Sequence, residues 1–319
     1  MIDVVIPVAP KDYPKLERSV LGILENSRTP IREVFLIAAD DSALNYLNAH
    51  VSLKMSVVKE REMPFTKADI AALLEEQGAT AKHASWYYQQ LLKFYAFQVI
   101  HGLGDDVLIL DSDFVFAKPL PFLTDDGRAI LSRGYPFKWL LNTRDYPTRV
   151  EHIHADFARR LVAGWEPMDP FSGMHHHMVL QRDILADLFD VVEREHQQPF
   201  WRAFVGKLRL EKWNAASEYV IYYHFARARY PARIVLRDLE TCDIIYDAEE
   251  GGDTLKQLDR LLDSGKFDAV GCHGFLELRA RIATTDYIPH DLRTKFARSP
   301  GMKLLLRLEA GVLQIEVDE

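Results

Sequence analysis

The stretch Val107–Phe116, VLILDSDFVF, decides how the rest of the chain is read. Val107–Leu110 is a short apolar run and predicts a buried strand. Asp111-Ser112-Asp113 follows where that strand runs out, at the edge where open α/β sheets bind ligands. A turn there can aim Asp111 and Asp113 at one point. Hard divalent cations take oxygen ligands, and Mg²⁺ or Mn²⁺ is typically shared between carboxylates and substrate phosphates. Such an ion would neutralise charge developing on a departing diphosphate. A bare DxD also serves as a simple strand cap. The apolar strand before this one, and its place as the fourth strand of an alternating pattern, give it weight.

Upstream, Ile2–Val8 is an apolar run ended by Pro7 and Pro10, and predicts a strand. Leu16, Val20, Ile23 and Leu24 give Tyr13–Asn26 helical spacing. Glu33–Ala39 and Lys54–Lys59 predict strands, and Thr66–Gln77 and Ser85–Ile100 helices. Strands alternating with helices argue for a parallel, doubly wound sheet. Downstream the pattern is less regular. Ala129–Ser132, His176–Leu180, Ile234–Leu236 and Ala269–Cys272 are strand candidates, and Asp183–Glu195 and Ala215–Arg227 helix candidates. No internal repeat occurs, and Tyr135–Arg149 is the one seam.

The chain has 319 residues, 48% of them apolar, enough for a substantial core. With 39 basic and 47 acidic side chains it carries a formal charge of −8, which argues against a general nucleic-acid binder. Two stretches run basic, Arg202–Lys212 and Arg227–Arg237, and are read as solvated faces or as attraction for phosphates. Two cysteines, Cys242 and Cys272, form no CxxC pair, so a reducing, cytoplasmic compartment is expected. The N-terminus reads directly into a strand, so no signal peptide is expected, and no apolar run reaches the about 20 residues of a spanning helix. A soluble protein, at most peripheral to a membrane, is expected.

The DSD segment resembles the DxD motif of GT-A glycosyltransferases, and Ile2–Val8 followed by Glu33–Ser42 (EVFLIAADDS) suits the beginning of that fold. Trp86–Phe94 (WYYQQLLKF), the DSD, His177-Met178 with the RDIL that follows, and Ser217-Glu218-Tyr219 come in an order similar to that of a bacterial family of GT-A-like transferases with largely unassigned substrates. This resemblance covers about residues 1–230. It implies a single α/β domain of GT-A type over 1–319: a Rossmann-like nucleotide-binding sheet with helices on both faces, continuous with a smaller acceptor-binding half. Residues 1–134 would be the nucleotide-sugar half and 135–319 the acceptor half. Pro7, Val8, one of Asp40 or Asp41, Asp111 and Ser112 would then contact the donor. Asp113 would hold Mn²⁺ or Mg²⁺, with Asp111 bound directly or through water and ribose. A UDP-sugar donor is favoured, with a glycan or lipid-linked acceptor.

Other candidates lie around this frame. Gln90 and Lys93 share a helix face, and could meet a sugar hydroxyl and a donor phosphate, or form an ordinary polar face. His175 and His177 point to one side of an extended segment and are expected to bind sugar or acceptor, with His176 on the other side. A zinc site needs four ligands, and no second cluster with metal spacing lies nearby. Glu218 is the candidate general base of an inverting transfer, although a carboxylate behind Ser217 also suits a helix N-terminus. The resemblance to GT-A enzymes also implies a late histidine in the metal shell, for which His273 is the candidate and His290 its rival, beside the reading of an ordinary core or surface histidine.

Three other functions compete. ILDSDFVF also looks like the first motif of haloacid-dehalogenase phosphohydrolases, with Asp111 as nucleophile and Asp113 as acid-base. That motif normally ends the first strand, and here it ends the fourth. A sugar nucleotidyltransferase would need a Gly-rich basic loop, which Val8–Asp12 is not. A silent nucleotide- or glycan-binding domain stays open.

Overall fold

The computed structural model describes residues 1–47, 55–135, 137, 153–209, 215–246, 251–274, 303–309 and 312–318. The first part runs β1 (Ile2–Pro7), α1 (Tyr13–Asn26), β2 (Ile31–Ala38), β3 (Met55–Lys59), α2 (Lys67–Glu76), α3 (Ala84–Phe94), α4 (Ala96–Val99) and β4 (Asp106–Leu110). Then come β5 (Phe114–Phe116), β6 (Ala129–Ser132), α5 (Ile153–Leu161), β7 (His177–Gln181), α6 (Arg182–His196), α7 (Phe200–Gly206) and α8 (Glu218–Arg229). β8 (Ile234–Arg237), β9 (Thr241–Tyr246), α9 (Gly251–Asp263), β10 (Ala269–Gly274), β11 (Lys303–Glu309) and β12 (Val312–Asp318) complete the described elements.

The fold is α/β. The first sheet has the order β3-β2-β1-β4-β7. Its first four strands are parallel, and β1 and β4 are buried along nearly their whole length, as expected of strands covered by helices on both faces. The wholly parallel sheet expected from the alternation is corrected by β7, which lies antiparallel to β4 with Leu110 opposite His177. A second sheet, β12-β11-β9-β10-β5, was not foreseen. β4 and β5 flank Asp111–Asp113 and belong to different sheets, so the DSD turn is the corner between them. β5 pairs antiparallel with β10, and Cys272 N donates to Asp113 O at 2.8 Å. β7 joins the first sheet from beyond residue 134, and β5 joins the second from before it, so the two halves exchange strands.

The helix expected over Ser85–Ile100 is broken at Tyr95, which leaves helical geometry with ψ 1°; its hydroxyl accepts from Trp201 N at 3.1 Å. The main core joins both faces of the first sheet, and a smaller one, with Cys242, Ile244, Leu258, Val270 and Cys272, lies against the second sheet. Gly173 leads into the histidine run with φ 73°, and a Cβ there would stand 2.3 Å from the Tyr223 ring. Only glycine fits that approach. Among the described residues no helix is long and apolar enough to cross a membrane.

Candidate functional site

The site is built at the corner between the sheets. α3 brings Lys93 beneath the DSD turn, where its side chain is 3% exposed. Burying an ammonium is costly unless it is paired. Lys93 Nζ makes an ion pair with Asp111 Oδ1 and another with Glu218 Oε1 at 2.5 Å, and donates to the Tyr219 hydroxyl at 3.1 Å. An ammonium has three donors, and these partners use them all. Burial alone would push Lys93 down, but the charges of Asp111 and Glu218 outweigh it and hold the ammonium above its ordinary range. Burial raises Asp111 too, and there Lys93 and His176 prevail, leaving the carboxyl below the usual range. Glu218 goes the other way: burial and the charge of Asp111 raise it, against the pull of Lys93.

Asp111 is also held from β7. His176 Nδ1 lies 3.1 Å from Asp111 Oδ2, and Asp111 N donates to His176 O at 2.9 Å. Asp113 has a different setting. Its side chain is 21% exposed, and Lys15 Nζ stands 3.8 Å from its Oδ2. Lys15 reaches in from the first turn of α1, buried, and also meets Asp12 Oδ1 at 2.8 Å and Cys272 O at 3.1 Å. Two buried lysines thus flank the two aspartates.

The sequence candidates are placed as follows. Asp111, Lys93 and Glu218 come together, from three distant parts of the chain. Ser112 is buried. Gln90 is buried and donates through Nε2 to Ala216 O at 3.0 Å. Pro7 ends β1, and Val8 is buried with its N donating to Ile37 O. Asp40 caps the turn after β2 by accepting from Ser42 N at 2.8 Å, and Asp41 pairs with Lys59 at 2.8 Å. Both are exposed at the same edge of the sheet as the DSD.

His175 and His177, expected to face substrate, are buried to 1% and 2% exposure against Phe114. Burial pushes His175 down to about 3 and His177 well below its ordinary range. His176, set on the opposite side in the sequence reading, is the one that meets Asp111. Lys15, His176 and Tyr219 were missed. The run HHH signalled a site, but a break in the extended backbone at its centre decides which ring reaches it. Of His273, only the backbone is described, next to Cys272 on the strand that touches the DSD turn. Its side chain, and the whole of His290, lie outside the described residues. The second basic stretch is largely paired within the chain: Arg227 with Asp169, Arg229 with Asp187, and Arg233 with Asp183.

A divalent cation would meet an acidic cluster here. Asp12, Asp111, Asp113 and Glu218 face Lys15 and Lys93, so the cluster holds an excess of two negative charges with all groups ionised. Asp113 is the more exposed carboxylate of the two in the DSD turn, at 21% against 11% for Asp111. Among the described residues no three His, Cys, Asp or Glu side chains converge to enclose one. Any such ion would complete its shell with substrate oxygens and water, as Mg²⁺ and Mn²⁺ commonly do.

A family profile described as DUF6492, a family of unknown function, matches residues 27–250 of the chain. The protein belongs to the DUF6492 family. The DUF6492 span takes in Lys93, the DSD turn, His176 and Glu218, and leaves out Lys15 and His273. No curated protein sequence matches the chain. Among solved structures this DUF6492 protein is similar to mouse xyloside xylosyltransferase 1 in its apo form. The identity is 10% and the TM-score 0.42, over 85% of this chain and 96% of that one. At that level the likeness carries no argument.

Proposed function

We propose that this DUF6492 protein is a GT-A-type glycosyltransferase that moves a sugar from a nucleotide diphosphate to a hydroxyl acceptor, with Mn²⁺ or Mg²⁺ at the DSD turn. The observation that carries the reading is the placement of two aspartates, Asp111 buried and Asp113 partly exposed, at the ligand edge of the central strand. A bound divalent ion would be held by Asp113 and would neutralise the leaving diphosphate. Lys15, next to Asp113, adds positive charge near where the phosphates would lie. Lys93 keeps Asp111 ionised and in place. Asp40 and Asp41 stand at the same edge, where a nucleotide would bind. A UDP-sugar donor and a glycan or lipid-linked acceptor belong to the same proposal, as does work in the cytoplasm, with at most peripheral contact to a membrane.

Glu218 is the base of this scheme. Its upward shift from burial and from Asp111 is the direction a base needs. One experiment tests the scheme. Calorimetry with UDP-, GDP-, CMP- and dTDP-linked donors, with and without Mn²⁺, should find one donor bound in a metal-dependent way. Asp113→Ala should fold and lose that dependence. Glu218→Gln should keep donor affinity and lose about 10²-fold or more in transfer rate. Unchanged metal-dependent affinity in a folded Asp113→Ala variant would sink the assignment. An aspartyl-phosphate formed on Asp111 with an activated phosphoester would move the protein to the phosphohydrolases.

A further inference from the structure

His176 stands beside the motif in a backbone conformation that histidine seldom adopts. Its φ is 54°, in the left-handed region, where a Cβ crowds the following carbonyl. Such conformations persist where the surrounding structure gains from them, and they gather at functional sites. The register shows what is gained. Leu110 faces His177 at the end of the β4–β7 ladder, so Asp111 and His176 stand next to each other just beyond it. His176 then holds Asp111 twice: its carbonyl accepts from Asp111 N, and its ring meets Asp111 Oδ2.

The direction of the second bond follows from chemistry. An ionised carboxylate only accepts, so Nδ1 carries the hydrogen and donates it. The imidazole is 28% exposed, whereas its neighbours on either side are sealed among aromatic rings. All three histidines lie near Phe114, with centroid distances of 5.8, 5.7 and 5.6 Å. Packing on Phe114 alone therefore does not distinguish His176. Its bond to the carboxylate does.

We infer that His176 is a positioning residue of the DSD turn: its left-handed backbone presents Nδ1–H to Asp111, and with Lys93 it fixes that carboxylate so that Asp113 meets the cation and the nucleotide diphosphate. This rests on the transferase reading. Outer-shell partners of this kind orient metal-site carboxylates, and their loss typically weakens metal affinity by about 10- to 100-fold. The bond, rather than the bulk of the ring, is what matters.

Two substitutions separate bond from bulk. His176→Asn tolerates a left-handed φ and places an amide N–H near the position of Nδ1. His176→Phe keeps a ring beside Phe114 and has no donor. UDP, GDP, CDP and dTDP are titrated into each full-length protein by calorimetry, with and without Mn²⁺, and circular dichroism checks the fold. For the diphosphate that binds wild type, His176→Asn should stay within about threefold in the presence of Mn²⁺, and His176→Phe should weaken about 10- to 100-fold. Affinity without Mn²⁺ should not change in either. Wild-type affinity in His176→Phe would overturn the inference, as would an asparagine variant as weak as the phenylalanine one. Should His176→Phe not fold, His176→Ala takes its place with the same expected loss. A wild-type chain that binds none of the four diphosphates overturns the transferase reading itself, and with it this role.

Discussion

Two cations with desolvated head groups, buried Lys93 and half-buried Arg237, sit in opposite company. Lys93 is surrounded by carboxylates and held above its ordinary range. Arg237, at the end of β8, donates to neutral acceptors: Ser132 Oγ at 3.1 Å, Pro121 O, and His177 Nε2 at 3.3 Å. Its guanidinium lies over the Phe122 ring, and burial pushes it down to about 10. Arg237 ties together β6, β7 and the segment at Pro121 through neutral acceptors, and Asp268 acts on it as a charge only. Lys93 balances part of an acidic cluster that opens towards solvent through Asp113. Burial of a charge therefore does not mark a site by itself.

This contrast can be broken. Lys93→Met leaves Asp111 and Glu218 facing each other without a counter-ion, and should cost about 3–5 kcal/mol of stability at neutral pH. Adding Glu218→Gln should recover part of the loss, because one carboxylate then carries no charge. Urea denaturation of the single and double variants measures both. Equal midpoints for the two would mean that Glu218 is not part of the charge balance.

Arg237→Met should cost less, about 1–3 kcal/mol, since only neutral acceptors lose their donor. A loss larger than that of Lys93→Met would reverse the comparison and give the arginine the more demanding environment.

The smallest expected effect, counted per residue, is the pH response of the buried rings. Burial holds His175 and His224 at about 3, below the ordinary 6.5. The unfolded chain therefore binds protons that the folded chain refuses, and stability falls as pH drops below about 6.5. Each ring should contribute up to about 1.4 kcal/mol for each pH unit. Glu218, shifted upward, works in the opposite sense, so Glu218→Gln should steepen the fall. Thermal unfolding between pH 7 and pH 5 reads this directly, and a flat profile would mean that water reaches the rings in the native state.

The first sheet was largely legible because local patterns specify it. Apolar runs at Ile2, Glu33, Lys54 and Val107 gave strands within a residue or two of those observed, and the periodicity of Tyr13–Asn26 gave α1 unchanged. The second sheet was legible only at Ala269–Cys272, the start of β10. β5 has three residues and followed the DSD too closely to be read as a strand of its own. β9 mixes core-facing Cys242 and Ile244 with Thr241 and Asp243, all buried, so it shows no clean alternation of apolar and exposed positions. The site was half legible. Asp111, Lys93 and Glu218 announce themselves as charges within apolar segments. Lys15 looks like an ordinary polar position at a helix start, and only the return of β10 beside the DSD turn reveals its surroundings. For the histidine run, strict alternation failed at the one residue whose φ turns positive.

The corner between the sheets also limits how this chain can vary in length. Asp111, Ser112 and Asp113 are the whole connection from β4 to β5. One inserted residue would not lengthen a loop, because no loop is there to absorb it. It would slip β5 against β10 and turn Phe114 and Phe116 away from the core. The turn that carries the carboxylates thus doubles as a ruler for the fold, and insertions that surface loops would accept are closed to it.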